Sequence, residues 1–193
     1  MDMEFRRIAV PTSEYVEKRE EGDMTFVCLE ATEKDGMIDA IECAVLTDEM
    51  DMEEIDAKCT EWKLAQDKEA IAMAVEDKLS QITLYDKSAA VNSFVLNGME
   101  VWLDKATRVG LMNSTSIAKS MGQQKTTLWL GSYQLEVDCD KAIQLLSALE
   151  MYALECFNVT AAHKKAVSEL DNIEGVLTYD YKSGYPDKLK MEV

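Results

Sequence analysis

The 193 residues carry 37 acidic and 20 basic side chains, a formal net charge of −17, and 47% of them are hydrophobic. That apolar content is too high for a disordered chain, and the negative field repels phosphate backbones, so recognition of nucleic acid through a basic footprint is excluded as an expectation. No apolar run approaches the roughly 18 residues needed to span a bilayer, and Met1-Asp2-Met3-Glu4-Phe5 lacks the basic start of a signal peptide, so a cytoplasmic location is expected, with no membrane partner.

The charge is uneven. Residues 1–62 hold 19 acidic and 6 basic side chains, against 18 and 14 in the remainder. An acidic face of this kind keeps a protein soluble, and it also suits a basic protein partner. Five cysteines (Cys28, Cys43, Cys59, Cys139, Cys156) are scattered without a C-x-x-C pair, which points to reduced core residues rather than a zinc or redox site.

Up to Leu46 the pattern is strand-like, with strands expected over 5–10, 25–30 and 37–46 and polar breaks containing Pro11, Gly22 and Asp35-Gly36. The Asp35-Gly36 pair suits a tight hairpin, because glycine accepts positive φ without a Cβ clash. Residues 1–50 thus form an acidic β unit. Asp51-Met52-Glu53-Glu54 fits a capping box, and the absence of Gly and Pro from 52 to 81 predicts a long helix, about 45 Å at 1.5 Å per residue. Its stripe of Ile55, Cys59 and Trp62 resumes only at Ile71, so part of 64–70 is expected to stand exposed as a connector, within a helical segment of 51–82. Self-association through this helix is a further expectation.

Ser93-Phe94-Val95-Leu96, Asn97-Gly98 and Met99-Glu100-Val101-Trp102-Leu103 spell a hairpin with a type I′ turn. Leu96 then pairs with Met99 and Phe94 with Val101, placing Phe94, Leu96, Met99, Val101 and Leu103 on one apolar face. A second hairpin is predicted around Gly131-Ser132, with Leu128, Leu130, Tyr133, Leu135 and Val137 on its apolar face. Between them Asp104 caps a helix that Gly122 ends. From Asp140, read as an N-cap, a helix to about Leu170 carries the broad apolar face that covers both hairpins, which are expected to form one four-stranded antiparallel sheet. Three tyrosines, Tyr179, Tyr181 and Tyr185, tie the tail back. The fold class is α+β: a small antiparallel β unit, a long connecting helix, and a domain of residues 83–193 in which two hairpins pack on an amphipathic helix.

Chemistry is sparse. The single histidine, His163, lies on the extension of an apolar helical face, and there is no Walker A, G-x-G-x-x-G or G-x-S-x-G motif. The acidic runs 48–54 and 138–140 lack calcium-loop spacing and read better as helix-start carboxylates. No catalytic residue, metal or cofactor is therefore assigned. The candidate protein-binding surface comprises Trp62, Trp102 and Trp129 with the acidic Glu53 and Glu54; Trp102 and Trp129 lie opposite the apolar hairpin faces, where they serve either a second packing layer or a partner.

Residues 82–191 resemble an uncharacterised domain family of phage and prophage proteins, seen at the C-terminal end of some tail-fibre assembly proteins. The segments that carry the resemblance are Phe94-Val95-Leu96-Asn97-Gly98, Val101-Trp102-Leu103-Asp104-Lys105-Ala106-Thr107-Arg108, Ala148-Leu149-Glu150-Met151-Tyr152-Ala153, Asn158-Val159-Thr160-Ala161-Ala162-His163-Lys164, Tyr179-Asp180-Tyr181 and Gly184-Tyr185-Pro186. The resemblance implies a structural or chaperone-like, non-enzymatic protein whose partner is another protein, such as a phage tail component, in the host cytoplasm or associated with the virion. Two rivals stand beside it: a small carboxylate-dependent hydrolase or sugar-active enzyme, and an acidic inhibitor of host defence that mimics nucleic acid.

Overall fold

The computed structural model describes residues 3–193. It divides into two compact units, one ending at Ala70 and the other running from Ile71 to Val193, with the boundary inside one long helix.

In the first unit, β1 (Glu4–Pro11), β2 (Lys18–Glu21), β3 (Met24–Lys34) and β4 (Met37–Leu46) form one sheet in the order β1-β4-β3-β2, with every neighbouring pair antiparallel. The β3–β4 hairpin closes on Asp35 and Gly36, whose φ values of 53° and 78° are the left-handed pair a type I′ turn requires. The β3 ladder shifts register between Leu29 and Thr32, where Glu30 sits at φ 52°. Alternation along β4 sends Ile38 and Ala40 to one face, with Cys28, Ile8, Val10 and Tyr15, and Cys43 and Val45 to the other, against Ile55, Phe5 and Leu29.

Helix α1 (Met52–Asp86) follows, 35 residues or about 52 Å. Asp51 Oδ1 accepts from the Glu53 amide at 2.9 Å and more weakly from Glu54 at 3.5 Å, which is the Asp51 half of the expected box. The reciprocal bond from the Asp51 amide to the Glu54 side chain is not formed among the described residues. The stretch 64–70 is exposed throughout, beyond the part its broken stripe predicts.

In the second unit, α2 (Ala89–Asn92) leads into β5 (Ser93–Leu96) and β6 (Met99–Trp102), then α3 (Lys105–Ser120), β7 (Lys125–Leu130), β8 (Tyr133–Asp138), α4 (Cys139–Ser168), α5 (Ile173–Thr178) and β9 (Lys190–Met191). The expected pairs Leu96–Met99 and Phe94–Val101 form across an Asn97-Gly98 turn with φ of 48° and 80°. Leu128, Leu130, Leu135 and Val137 of the second hairpin are buried with Phe94, Leu96, Val101 and Leu103 of the first, against Leu145, Leu146, Leu149, Tyr152 and Cys156 of α4. All five cysteines of the chain are free and buried.

Three expectations need correction. The hairpins do not merge into one four-stranded sheet: β5 takes β9 on its outer edge in parallel, giving the order β6-β5-β9, while β7 and β8 stand as a separate pair. Met99 is exposed although its partner Leu96 is fully buried, because β5 is the central strand, flanked on both sides, and β6 is an edge. The N-cap of α4 is Asp138, not Asp140, which falls in the first turn and pairs with Lys119.

Candidate functional site

One concavity lies within the second unit. A cleft of about 640 Å³ is bounded by the end of α1 and the approach to α2 (Asp86, Lys87, Asn92), by the end of β6 and start of α3 (Trp102 to Ala106, Arg108), and by α4 (Glu150, Ala153, Leu154, Phe157). Each wall is set by local sequence. Asp104 ends β6 and caps α3, its Oδ1 accepting from the Thr107 amide at 2.9 Å and its Oδ2 from the Thr107 hydroxyl at 2.7 Å, which fixes where Lys105 and Arg108 leave the helix. These bonds, the hydroxyl first, hold the Asp104 carboxyl below the usual carboxylate range. On α4 the residues 150, 153, 154 and 157 recur at helical spacing, beside rather than on the stripe that meets the hairpins.

The walls are apolar and open. Trp102, Leu154 and Phe157 are 42%, 49% and 59% exposed. Soluble proteins do present single exposed apolar side chains, but three large ones converging on one concavity is the pattern of a binding groove. The charged component is Arg108, only 7% exposed, whose Nε donates to Glu150 Oε1 at 2.8 Å and whose Nη1 donates to the Leu103 carbonyl at 2.8 Å. Asp86 accepts from the buried Thr160 hydroxyl at 2.8 Å. Such an arrangement can hold an apolar group and an anion. It brings three carboxylates into an aromatic-walled cleft, yet each already accepts from a protein donor.

Of the sequence-predicted surface residues, Trp102 lines this cleft and Trp129 is exposed on the outer side of β7, on a different sheet. The second packing layer expected over these two rings is not formed, as both are exposed. Trp62, Glu53 and Glu54 belong to the first unit, where Glu53 and Glu54 are exposed in the first turn of α1 and Trp62 packs against Phe5, ring centroids 6.0 Å apart. Arg108, Leu154 and Phe157 escaped sequence reasoning. The signal available was that Leu154 and Phe157 fall off the core stripe of α4 while remaining large and apolar.

His163 is half-buried and structural in its contacts: Nδ1 meets the Tyr179 hydroxyl at 2.9 Å and Nε2 the Ser183 carbonyl at 2.9 Å. Among the described residues no group of three or more His, Cys, Asp or Glu side chains could hold a metal ion, and no helix is long and apolar enough to cross a membrane. No family model matches the chain, and no curated protein or solved structure is found to match it.

Proposed function

We propose that this chain is a non-enzymatic protein-binding module of phage or prophage origin, structural or chaperone-like in tail or tail-fibre assembly. The observation that carries the binding half of the reading is the cleft, where Trp102, Leu154 and Phe157 remain half exposed around a buried guanidinium. Exposed apolar area of this kind is stabilised when a partner covers it, at roughly 25 cal/mol per Å² removed from water. The tail-assembly half rests on the family resemblance of residues 82–191 alone. The test is affinity capture from the native host with the full chain and with Trp102→Ala/Phe157→Ala, followed by identification of the retained proteins. A virion or tail component retained by the parent and lost by the variant is the expected result. Recovery of no such component, or equal recovery by both, counts against it.

One observation favours an alternative. Asp86, Asp104 and Glu150 line one aromatic cleft, the setting in which glycoside-cleaving carboxylates operate. A general acid needs a raised pKa, however, and Asp104 is held low. Hydrolysis of chromogenic glycosides that disappears in Glu150→Gln would establish the enzyme instead.

A further inference from the structure

We propose that the cleft recognises a short acidic-apolar segment of its partner, an Asp or Glu carboxylate docked on Arg108 with a neighbouring apolar side chain against Trp102, Leu154 and Phe157. This deepens the protein-binding reading and rests on it.

Arg108 is a planar fork with five N–H donors, and it cannot be discharged. Two of its nitrogens are used, Nε by Glu150 and Nη1 by the Leu103 carbonyl. Among the described residues Nη2 has no protein acceptor, and it is not among the buried atoms sealed away without one. A nearly buried guanidinium with one nitrogen left accessible on a cleft can donate to an acceptor that enters it. Carboxylate fits that nitrogen best, because it gains a charge-assisted bond.

The rest of the lining tips the same way. By formal count it holds three cations and three anions, Lys87, Lys105 and Arg108 against Asp86, Asp104 and Glu150. Each anion already accepts from a protein donor: Asp86 from Thr160 and Glu150 from Arg108 at one oxygen each, Asp104 from Thr107 at both. The Lys87 and Lys105 ammonium groups are exposed and take no acceptor among the described residues. The charged donors of the lining without a protein acceptor are therefore Lys87, Lys105 and Arg108 Nη2, and these can meet an incoming carboxylate. Glu150 lies beside the docking edge and limits it to one incoming carboxylate rather than a run of them. The chain's net charge of −17 also opposes a strongly acidic partner at long range, so recognition is short-range, carried by Arg108 and the apolar walls rather than by steering. A chain segment fits better than a free small acid, because the three apolar side chains stay half exposed and need an occupant that runs across them.

The test is selection of a displayed library of short random peptides on the full chain. Selected sequences should place Asp or Glu next to Leu, Phe or Trp. A synthetic copy should bind the parent, and Asp→Asn or Glu→Gln in the peptide should weaken it about tenfold or more, the size of a desolvated hot-spot contact. Trp102→Ala and Phe157→Ala should each weaken it by a similar factor, and Lys87→Gln with Lys105→Gln by less. Because the acid is removed from the peptide, the result does not depend on whether an Arg108 variant folds. Cleft-dependent binders with no acid preference overturn the proposal while leaving the protein-binding reading standing. Absence of any binder sensitive to Trp102→Ala or Phe157→Ala also overturns it, and the host-capture experiment then decides the broader reading separately. Phenylacetate displacing the peptide and binding as tightly on its own would show the site to be built for a small acid, against the proposal.

Discussion

Arg19 of β2 reaches over β3 to the carboxylate of Glu42 on β4, with its guanidinium carbon 4.2 Å above the centroid of the Phe26 ring. Glu42 is 2% exposed, and its other oxygen accepts from Arg6 Nε of β1 at 2.8 Å. One buried carboxylate thus links three strands of the four-stranded sheet, with a cation on each side. Burial alone would raise the Glu42 pKa; the bonds from Arg19 and Arg6 together outweigh it and hold the carboxyl below its ordinary value.

A carboxyl whose folded pKa is depressed contributes stability that is fully present above its unfolded pKa, about 4.3 for Glu. That contribution is lost as pH falls from there through the lower folded value. The first unit should therefore weaken on acidification below about pH 4.3, and Glu42→Gln should remove this share of the dependence. At neutral pH the variant should cost about 1–3 kcal/mol, since both guanidiniums keep solvent access but lose a charged acceptor. Amide exchange of β4 at several pH values measures both; a variant with unchanged acid sensitivity contradicts the account.

Much of the second unit was legible because short-range rules there agree with long-range packing. Asn97-Gly98 and Gly131-Ser132 fix two-residue loops, loops fix register, and register fixes which side chains face α4. Strand β2 was not legible because Lys18-Arg19-Glu20-Glu21 has no apolar alternation; it pairs through the backbone and through Arg19. Strand β9 is two residues long and exists only because the edge of β5 is open. The cleft was invisible for a different reason: it is assembled from 86–92, 102–108 and 150–157, and Arg108 meets Glu150 only when α4 packs beside α3.

Two glycines should respond oppositely to alanine. Gly98 lies at φ 80° in the β5–β6 turn with open space where an alanine methyl would stand, so Gly98→Ala introduces backbone strain alone, worth about 1–2 kcal/mol of destabilisation. Gly110 is inside α3, also with open space around it, and Gly110→Ala should stabilise by about 0.5–1 kcal/mol through helix propensity. Thermal unfolding of the two variants reads the sign directly.

Tyr152 is a buried strut between α4 and the first hairpin. Its hydroxyl donates to the Val91 carbonyl at 2.9 Å and lies 3.3 Å from that of Ser93, and burial pushes its pKa well above the ordinary phenol value. Tyr152→Phe keeps the ring packing and removes the donor, leaving the Val91 carbonyl with only the 3.5 Å contact from Cys156 Sγ. The expected loss is about 1–2 kcal/mol, measured by denaturant unfolding with an unchanged slope. A loss of under a few tenths would mean that water replaces the hydroxyl.

The tail is held by two sets of hydrogen bonds on α4, one at His163 and one at Thr160. The Ser183 carbonyl can only accept, so His163 Nε2 donates to it, while Nδ1 pairs with the Tyr179 hydroxyl. Thr160 donates to Asp86, which leaves its oxygen to accept from Tyr185 at 3.0 Å, and Tyr181 and Tyr185 pack edge-on against Tyr85. Beyond these residues the chain reaches β5, where the Val95 and Asn97 amides donate to Leu189 and Met191 at 2.8 and 3.0 Å. His163→Ala removes two bonds and two ring contacts, a local loss of about 1–3 kcal/mol. Its expected signature is faster exchange of the Val95 and Asn97 amides, with the β7–β8 ladder unchanged, because opening the tail frees only the outer edge of β5. His163→Gln, which offers one donor and one acceptor from a single amide, should restore part of the protection; equal protection in all three proteins would show that β9 docks without help from His163.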